Sequence, residues 1–518
     1  MTRQEQLTGH PQNNRKLGGV SRRQFLKMTA LASAGLAIGA AGPIGLTGCG
    51  GTSDWKSLTF DQVLFHNLRL FDGVKNRLQP GLMLLIQKDG IKAIEPLGDL
   101  AQFRDYKKVD LKGQTVMPGL IDNHVHMTVP FMYDVNLTVL RQMDEAIRLN
   151  FRNCVLSGVT TVRDVGGFPG KIKKYRQMAD ALEIPGPRVI SSLSPIAARQ
   201  GDALGAPEKA PYFTNPVMKW ALGGNYAERP TNLEEIKEAG QRMIALGAQW
   251  LKTLHQDHSY SYFPRTLPNH GDEGYRAILK MGADHGLKCA LHEPLLSGFK
   301  KGVELGFHTL EHMPLDGIIP DELIDGFIKK NMAMMPTLMA YGDVFAEEKI
   351  LKLIKEKGEV FLVPEAIRQM TAKLEESLDQ AKKKMTDQEH RDLIFDRQYL
   401  VNMFPNQVAN LVKLHRAGAA VGVGTDNGGT YSGFFGRYRE ELRYYQAAGL
   451  SNYDILRMAT AVNASILGMS DRLGSIEKGK LADIIAVPGN PLEDLAVLSD
   501  VRLVMKGGVF MKAEGLGL

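Results

Sequence analysis

Hydrophobic and polar positions alternate at both ends of the chain. Runs such as Val63 to Asn67, Met83 to Gln87 and Ala482 to Val487 lie between Gly, Asn and Asp residues and have no helical period. Short alternating runs between turn residues are typical of β-strands. Because both ends share this pattern, we predict one small β-sandwich, with residues 57–117 as its first part and 466–518 as its second.

The middle of the chain, residues 118–465, has a different pattern, in which short β-type runs alternate with amphipathic stretches. Regular alternation of strands and helices is typical of parallel α/β folds, and eight repeats fit a (β/α)8 TIM barrel. We therefore predict an α/β protein in which a TIM barrel carries the small sandwich. The eight predicted barrel strands are Leu120 to His124, Thr160 to Asp164, Arg188 to Ser192, Gln249 to Thr253, Lys288 to His292, Phe307 to Glu311, Ala333 to Pro336 and Ala420 to Thr425.

A long charged stretch, about residues 343–416, separates the last two predicted strands. Its repeated Glu and Lys residues predict helices in an enlarged connection. Two interpretations remain open: a lid over the barrel mouth, or a solvated helical bundle with no part in catalysis.

The first 48 residues form a separate segment. They contain six Lys and Arg residues and one Glu, which account for +5 of the formal net charge of +6. Arg22 and Arg23 precede an uncharged stretch from Met28 to Gly48, which resembles a twin-arginine export signal. The stretch ends in Leu46-Thr-Gly-Cys49, which resembles a bacterial lipobox. We predict an extracytoplasmic or periplasmic lipoprotein anchored to a membrane through a lipid on Cys49; an uncleaved signal anchor is the alternative.

The composition of the whole chain is ordinary for a soluble globular enzyme. Hydrophobic residues make up 44% of the chain and charged residues 23%, which is ordinary for a globular protein. The near-neutral balance beyond residue 48 gives no support for a nucleic-acid partner. Cys154 and Cys289 stand in apolar runs, so we predict buried free thiols.

Metal-binding residue types recur where the predicted barrel strands end. In an extended strand His124 and His126 project to the same face, and two such imidazoles form a good half-site for zinc; a hydrogen-bonded pair of strand histidines is the alternative. In the fourth strand Lys252 has apolar neighbours, where a bare ammonium is costly to bury. Because the carboxyl ends of barrel strands meet at one face, we expect six side chains to converge there. They are His124, His126, Lys252, His292, His312 and Asp426.

The order His-x-His, Lys, His, His, Asp resembles the amidohydrolase superfamily. The stretch that begins the barrel, Val116-Met-Pro-Gly-Leu-Ile-Asp-Asn-His-Val-His126, is similar to the start of that family's barrel. Ala459-Thr-Ala-Val-Asn-Ala464 and Leu473-Gly-Ser-Ile-Glu-Lys-Gly-Lys-Leu-Ala-Asp483 resemble its closing signature, as does the stretch from Gly489 to Asp494. The resemblance extends from about Ser57 to the C-terminus and is closest to prolidase-like and imidazolonepropionase-type metal-dependent hydrolases.

The resemblance implies two divalent metal ions, with zinc as the expected metal. The implied ligands are His124, His126 and Asp426 for one ion, His292 and His312 for the second, and a carboxylated Lys252 that bridges them. Asp426 would also be the catalytic residue, taking a proton from the attacking water and passing it to the leaving nitrogen. His308 or Glu293 would orient the ligands.

The expected reaction is hydrolysis of an amide C–N bond in a small molecule, either a dipeptide of the Xaa-Pro kind or an N-acyl amino acid. Three alternatives remain: a lactonase or phosphotriesterase, a single-metal cyclic amidohydrolase, and a non-catalytic binding lipoprotein. A homo-oligomer is compatible with the resemblance. The loop after the fourth strand departs from the small residues expected in prolidase-like relatives, and we predict substrate contacts there from His255, His258, Tyr260 and Arg265.

Overall fold

The computed structural model describes residues 57–129, 137–201, 223–393, 395–429 and 433–516. The predicted signal segment, residues 1–48, and the predicted lipidation site Cys49 lie outside these ranges. No helix in these ranges combines the length and the apolar character that a membrane-crossing segment needs.

Strands occur along the whole of the described part of the chain, and the eight predicted barrel strands are among them. The strands are β1 (Leu58–Thr59), β2 (Gln62–Leu70), β3 (Gln79–Gln87), β4 (Gly90–Pro96), β5 (Lys107–Asp110), β6 (Thr115–Pro118), β7 (Leu120–Val125), β8 (Val159–Asp164), β9 (Arg188–Ser191), β10 (Trp250–Leu254), β11 (Lys288–His292), β12 (Thr309–Glu311), β13 (Ala333–Met335), β14 (Ala420–Val421), β15 (Ile484–Val487), β16 (Leu503–Lys506) and β17 (Val509–Ala513).

Strands from both ends of the chain form one nine-stranded sheet, as the alternating pattern predicted. Its order is β1-β17-β16-β15-β6-β2-β3-β4, with β5 paired to β2. Strand β2 is shared, because its first half pairs with β5 and its last residues pair with β6. Apolar side chains from both ends, including Phe65, Ile484 and Phe510, pack into a core of their own. Burial of this apolar surface stabilises the association of the two chain ends.

The barrel strands are parallel and pair in two groups, β7-β8-β9 and β10-β11-β12-β13-β14. Backbone hydrogen bonds join the groups at both junctions. On one side the Ile196 N–H donates to the Lys252 carbonyl at 2.8 Å, and on the other the Asp426 N–H donates to the His124 carbonyl at 2.8 Å. The eight strands therefore close into the predicted TIM barrel.

Helices follow the barrel strands and bury apolar faces against them. Cys154 and Cys289 are buried and free, as predicted. The helices are α1 (Leu137–Leu156), α2 (Pro169–Asp180), α3 (Leu233–Ala245), α4 (Asp272–Asp284), α5 (Leu296–Leu305), α6 (Asp321–Lys329), α7 (Leu338–Gly342), α8 (Glu347–Phe361), α9 (Pro364–Lys382), α10 (Asp387–Asp392), α11 (Arg397–Arg416), α12 (Tyr438–Ala447), α13 (Asn452–Arg457) and α14 (Asn463–Leu467); Met458–Val462 is π-helical, and Leu100–Gln102, Asp343–Phe345 and Leu495–Ser499 are 3-10 turns.

Helices α8–α11 occupy the charged connection between β13 and β14. The short helix α10 begins with a capping box between Thr386 and Glu389, which satisfies its first N–H groups. Beyond it, the Asp396 N–H donates to the Tyr260 carbonyl at 2.8 Å. The connection is therefore attached to the loop that leaves β10 at the carboxyl end of the barrel.

Candidate metal centre

The six side chains with metal-ligand chemistry lie in the carboxyl-terminal parts of barrel strands or in the segments that follow them, except that Lys252 is the middle residue of β10. Each is buried, with no more than 9% of its surface exposed. Charged and imidazole groups are seldom buried without partners, so their collection at one end of the barrel calls for a chemical explanation. Strands β7, β10, β11, β12 and β14, with the segments that follow them, supply them as His124 and His126, Lys252, His292, His312 and Asp426, respectively.

His124, His126 and Asp426 form the first half of the site. The Oδ1 atom of Asp426 lies 3.0 Å from Nε2 of His126 and 3.5 Å from Nε2 of His124. The three groups can each offer one ligand atom, all within 4.8 Å of one another. Two imidazole nitrogens and one carboxylate are a common donor set for zinc and similar divalent ions.

Groups behind the two histidines fix the orientation of their rings. Nδ1 of His124 lies 2.6 Å from Oε2 of Glu311, and Nδ1 of His126 lies 2.8 Å from the Gly166 carbonyl oxygen. Both acceptors favour a hydrogen on Nδ1, so a neutral ring at either position has its Nε2 free to bind a metal ion on the side of Asp426. Such partners behind a ligand increase its basicity and hold its tautomer.

Glu311 is itself held by a buried cation. One guanidinium nitrogen of Arg163 lies 2.7 and 2.8 Å from the two Glu311 oxygens, and Arg163 also packs over the Trp250 ring at 4.6 Å. Burial pushes the pKa of Glu311 upward, but Arg163 and Lys252 hold it below its ordinary value. Glu311 therefore remains a carboxylate that can accept the hydrogen of His124.

His292 and His312 form the second half of the site. Their ring centroids are 4.4 Å apart, and the His312 ring lies 4.9 Å from that of His124. Nε2 of His292 is 3.2 Å from Oε1 of Gln256, and Nδ1 of His312 is 2.7 Å from Oγ1 of Thr337. Nδ1 of His292 and Nε2 of His312 remain available to a ligand.

Burial favours neutral imidazoles at three of the four histidines. Desolvation, with the nearby Lys252 charge, lowers the pKa of His124 and of His292 well below the ordinary value. Burial and the neighbouring histidines do the same to the pKa of His312. The pKa of His126 is raised instead, because the hydrogen bond and charge of Asp426 outweigh its burial. Neutral imidazole is the form that binds a metal.

Lys252 is the unusual group of the site. Its side chain is buried, and Nζ has no hydrogen-bond partner among the described residues. Burial lowers the pKa of Lys252 to about 8 even though the Glu311 and Asp426 carboxylates oppose the shift. An amine without a partner in such a place is costly. Carboxylation of this amine and binding of divalent ions would give it partners, so the donor set fits a binuclear centre.

Three residues of the site have a backbone conformation that is uncommon for residues other than glycine. His312 has φ 77°, Asp426 has φ 56° and Thr337 has φ 47°, all in the left-handed region although none is glycine. Such conformations cost of order 1–3 kcal/mol each and concentrate at functional sites. Two candidate ligands, His312 and Asp426, are therefore held in a strained backbone conformation, as is Thr337, whose hydroxyl orients His312.

Two of the predicted substrate contacts, His255 and His258, lie beside the centre on the loop after β10. Nδ1 of His255 is 3.0 Å from the hydroxyl of Tyr275 on α4, and Nε2 is 3.4 Å from the Asp257 carboxylate. His258 is half-buried, and its carbonyl accepts a hydrogen bond from Gln256. Their role in substrate binding stays a prediction.

The other two predicted contacts differ in their surroundings. Tyr260 is buried, and its hydroxyl lies 2.9 Å from that of Tyr341. The exposed Arg265 donates to the carbonyl oxygens of Arg391 and Asp392 at 3.4 and 3.2 Å. Arg265 thus connects its loop to the end of α10, and its substrate role also stays a prediction.

The side chains that orient the histidine rings from behind were not predicted from the sequence. His308, one of the two predicted, is exposed at the start of β12, where it accepts from the Cys289 N–H. Charged residues inside apolar strand segments were the available signal for Arg163 and Glu311, because such positions favour a paired charge in the barrel interior. The missed groups are Arg163, Gln256, Glu311, Thr337 and Tyr341.

Residues 115–511 match the sequence model of the amidohydrolase family. The chain belongs to the amidohydrolase family. This confirms the resemblance predicted from the strand-end residues, and amidohydrolase membership supports a metal-dependent hydrolase that acts on carbon–nitrogen bonds. Members of this family generally bind divalent metals, in agreement with the donor sets described above.

Individual relatives are distant. Ochratoxinase from Aspergillus niger is 24% identical over 420 residues, which cover 78% of this chain and 76% of that protein. A solved Xaa-Pro dipeptidase with methionine bound in its active site has a TM-score of 0.65 and 24% identity, with 87% of this chain and 99% of that chain covered. A prolidase complexed with N-methylphosphonate-L-proline has a TM-score of 0.66 and 22% identity, covering 88% and 100%. These two structural similarities establish the shared fold.

Proposed function

We propose that this amidohydrolase has a binuclear centre and cleaves the amide bond of Xaa-Pro-like dipeptides or N-acyl amino acids. The observation that carries the proposal is the buried, unpartnered amine of Lys252. Its charge acts on His124 in the first half and on His292 and His312 in the second. Because the Lys252 amine is near histidines of both halves, a ligand formed on it is suited to bridge two metal ions.

Carboxylation would turn this amine into a bridging ligand. The lone pair of neutral Nζ attacks the carbon of carbon dioxide, an N–C bond forms, and Nζ gives one proton to solvent. Burial supports this step because it lowers the pKa of Lys252 to about 8, so that the neutral amine is accessible near neutral pH. In the proposal His124, His126 and Asp426 hold one ion, and His292 and His312 hold the other.

The metals, when bound, supply Lewis acidity and make water a better nucleophile near neutral pH. The chain itself supplies the proton acceptor. Asp426 takes a proton from the attacking water at a carboxylate oxygen, the water oxygen bonds to the acyl carbon, and the C–N bond breaks. The proton on Asp426 then passes to the leaving nitrogen.

The substrate class is supported by the relatives rather than by any contact in this chain. The structures with the same fold include proteins described as an Xaa-Pro dipeptidase and a prolidase. A small substrate also suits a site enclosed at the carboxyl end of a barrel.

The direct test is hydrolysis by residues 49–518 purified with zinc and bicarbonate. We expect release of free amine from Xaa-Pro dipeptides or N-acyl amino acids, loss of activity with a chelator, and recovery on return of zinc. Parallel assays should use a lactone and a phosphotriester. Faster turnover of either one than of every amide would contradict the proposed substrate class.

We also propose export and membrane anchoring through Cys49, on the sequence of the first 49 residues alone. A full-length Cys49→Ala variant should move from the membrane fraction to the soluble extracytoplasmic fraction and should not incorporate labelled fatty acid. A Cys154→Ala variant is the matched control, because that thiol is buried in the barrel wall. Equal labelling of wild-type and Cys49→Ala protein would contradict lipidation at this residue.

A further inference from the structure

Two buried tyrosines from different parts of the chain meet beside the candidate metal centre. Tyr260 lies on the loop after β10, and Tyr341 lies on α7 after β13. Their hydroxyl oxygens are 2.9 Å apart, and the residues are 6% and 5% exposed. The hydrolytic function proposed above assigns no role to their contact.

The two hydroxyl groups together carry two hydrogens, and only one of them is used in the hydrogen bond between the tyrosines. Each phenol carries one hydrogen, because the ordinary tyrosine pKa is about 10. One hydrogen is used between the two hydroxyls. Neither oxygen has another hydrogen-bond partner within the described ranges. A buried donor left without an acceptor costs about 1–3 kcal/mol, so a bound molecule that accepts this hydrogen would be favoured.

The pair lies beside the candidate ligands. The ring of Tyr341 meets the ring of His312 edge-on, with centroids 5.7 Å apart. A donor at this position can reach a molecule held at the centre.

Separate contacts keep each tyrosine in place. The Asp396 N–H from the helical connection donates to the Tyr260 carbonyl at 2.8 Å. The Glu441 carboxylate on α12 accepts the first two N–H groups of α7, at 2.9 and 2.6 Å, which fixes the helix that carries Tyr341. A donor that is positioned before binding loses little entropy when it binds.

We propose that the Tyr260–Tyr341 pair donates a hydrogen bond to the acyl oxygen of the scissile amide. This inference rests on the proposed amide hydrolysis. The acyl oxygen gains negative charge as water adds to the carbon, and a fixed neutral donor stabilises that charge. The tyrosines keep their covalent structure throughout. The paired hydroxyls would therefore distinguish substrates with an acyl oxygen from those without one.

The test compares Tyr260→Phe and Tyr341→Phe with Tyr175→Phe in the zinc- and bicarbonate-loaded protein. Tyr175 is a matched control, because it is buried on α2 and its hydroxyl donates to the Asp144 carbonyl outside the centre. Two readouts are needed: kcat and KM for an N-acyl amino acid, and the Kd of N-methylphosphonate-L-proline, whose tetrahedral phosphorus carries an oxygen in place of the acyl oxygen.

Each site variant should lose about 100-fold in kcat/KM, mainly in kcat, and a similar factor in phosphonate affinity. The metal content and the Tm of Tyr260→Phe and Tyr341→Phe should match those of the wild type. Tyr175→Phe should keep the wild-type kcat/KM and the wild-type Kd for the phosphonate. Unchanged phosphonate affinity in both variants overturns the inference, as does loss of metal in parallel with activity.

The phosphonate measurement separates this inference from the proposed function. If the wild-type protein cleaves no amide, the proposed function fails, and weaker phosphonate binding by the two variants still supports the tyrosine donor. If the wild-type protein does not bind the phosphonate, the donor has no oxygen to contact and the inference is overturned.

Discussion

A buried carboxylate and a backbone carbonyl orient His124 and His126, whereas the neutral side chains of Gln256 and Thr337 orient His292 and His312. The first half also has a carboxylate ligand of its own in Asp426. Apart from Lys252, the second half offers only imidazoles. In the proposed binuclear centre, the first half therefore has an anionic ligand as folded, whereas the second would gain one from a carboxylated Lys252.

The largest expected effect comes from the proton acceptor in the first half. Asp426→Asn removes the group that accepts the proton but keeps the size of the side chain, so kcat should fall about 1,000-fold or more. Most of the bound metal should remain, because both histidines and their orienting groups are intact. Steady-state kinetics and elemental analysis measure the two effects. Full activity in this variant would remove Asp426 from its proposed role.

Removal of the carboxylate behind His124 should weaken the first half selectively. Glu311→Gln takes away the charged acceptor of His124, and we expect the affinity for the first ion to fall about 10- to 100-fold. Competition with a chromophoric chelator measures this affinity.

A matched control is needed because Glu311→Gln also leaves the buried Arg163 without its carboxylate, which costs stability. Glu347→Gln disturbs a comparable pair on α8, where Glu347 lies 3.0 Å from Arg397. Both variants should lower Tm, but only Glu311→Gln should weaken metal binding. Equal metal affinity in the two variants would contradict the orienting role of Glu311.

The neutral supports of the second half should have a smaller effect. Gln256→Leu removes the amide oxygen that holds Nε2 of His292, and we expect about a tenfold loss of affinity for the second ion only. Stepwise titration of the apo-protein with cobalt, followed by visible absorption, separates the two binding events. A loss confined to the first event would reverse the assignment of ligands to the two halves.

The last expected effect concerns the rate of metal loading and its dependence on pH. Because the pKa of Lys252 is lowered to about 8, raising the pH toward 8 increases the fraction of neutral amine, about tenfold per pH unit. At a fixed carbon dioxide pressure, uptake of the second ion by apo-protein should accelerate from pH 6 to 8 and then level off, and this acceleration should disappear when carbon dioxide is withheld. Uptake of the first ion should be the same with and without carbon dioxide. A pH profile for the second ion that does not change when carbon dioxide is withheld would contradict carboxylation.

The candidate ligands could be predicted from sequence because each lies in or after a short apolar strand, and parallel strands bring their carboxyl ends together. Small residues before Asp426 were also informative. A Cβ added at Gly424 would lie 2.6 Å from Cβ of His124, so the last strand approaches β7 closely because it lacks side chains. This approach also explains why β14 ends at Val421, before the predicted Thr425, since the next residues bond to β7.

The orienting groups could not be predicted in the same way. Arg163 and Glu311 are separated by 148 positions, and no local spacing indicates that they meet. Gln256 and Thr337 are neutral residues of types that are common in loops, and their function depends on which ring nitrogen they contact. Tyr341 lies on a five-residue helix, whose direction is set by packing against α12 rather than by its own sequence.

The number of metal ions per chain tests the central claim most directly. Residues 49–518 should be purified in bicarbonate buffer and measured by elemental analysis, alongside Lys252→Ala protein and protein prepared without carbon dioxide. We predict about two zinc-like ions per wild-type chain and about one in each of the other samples, with the remaining ion held by His124, His126 and Asp426. One ion in all three samples, or two in Lys252→Ala, would contradict a centre bridged by Lys252.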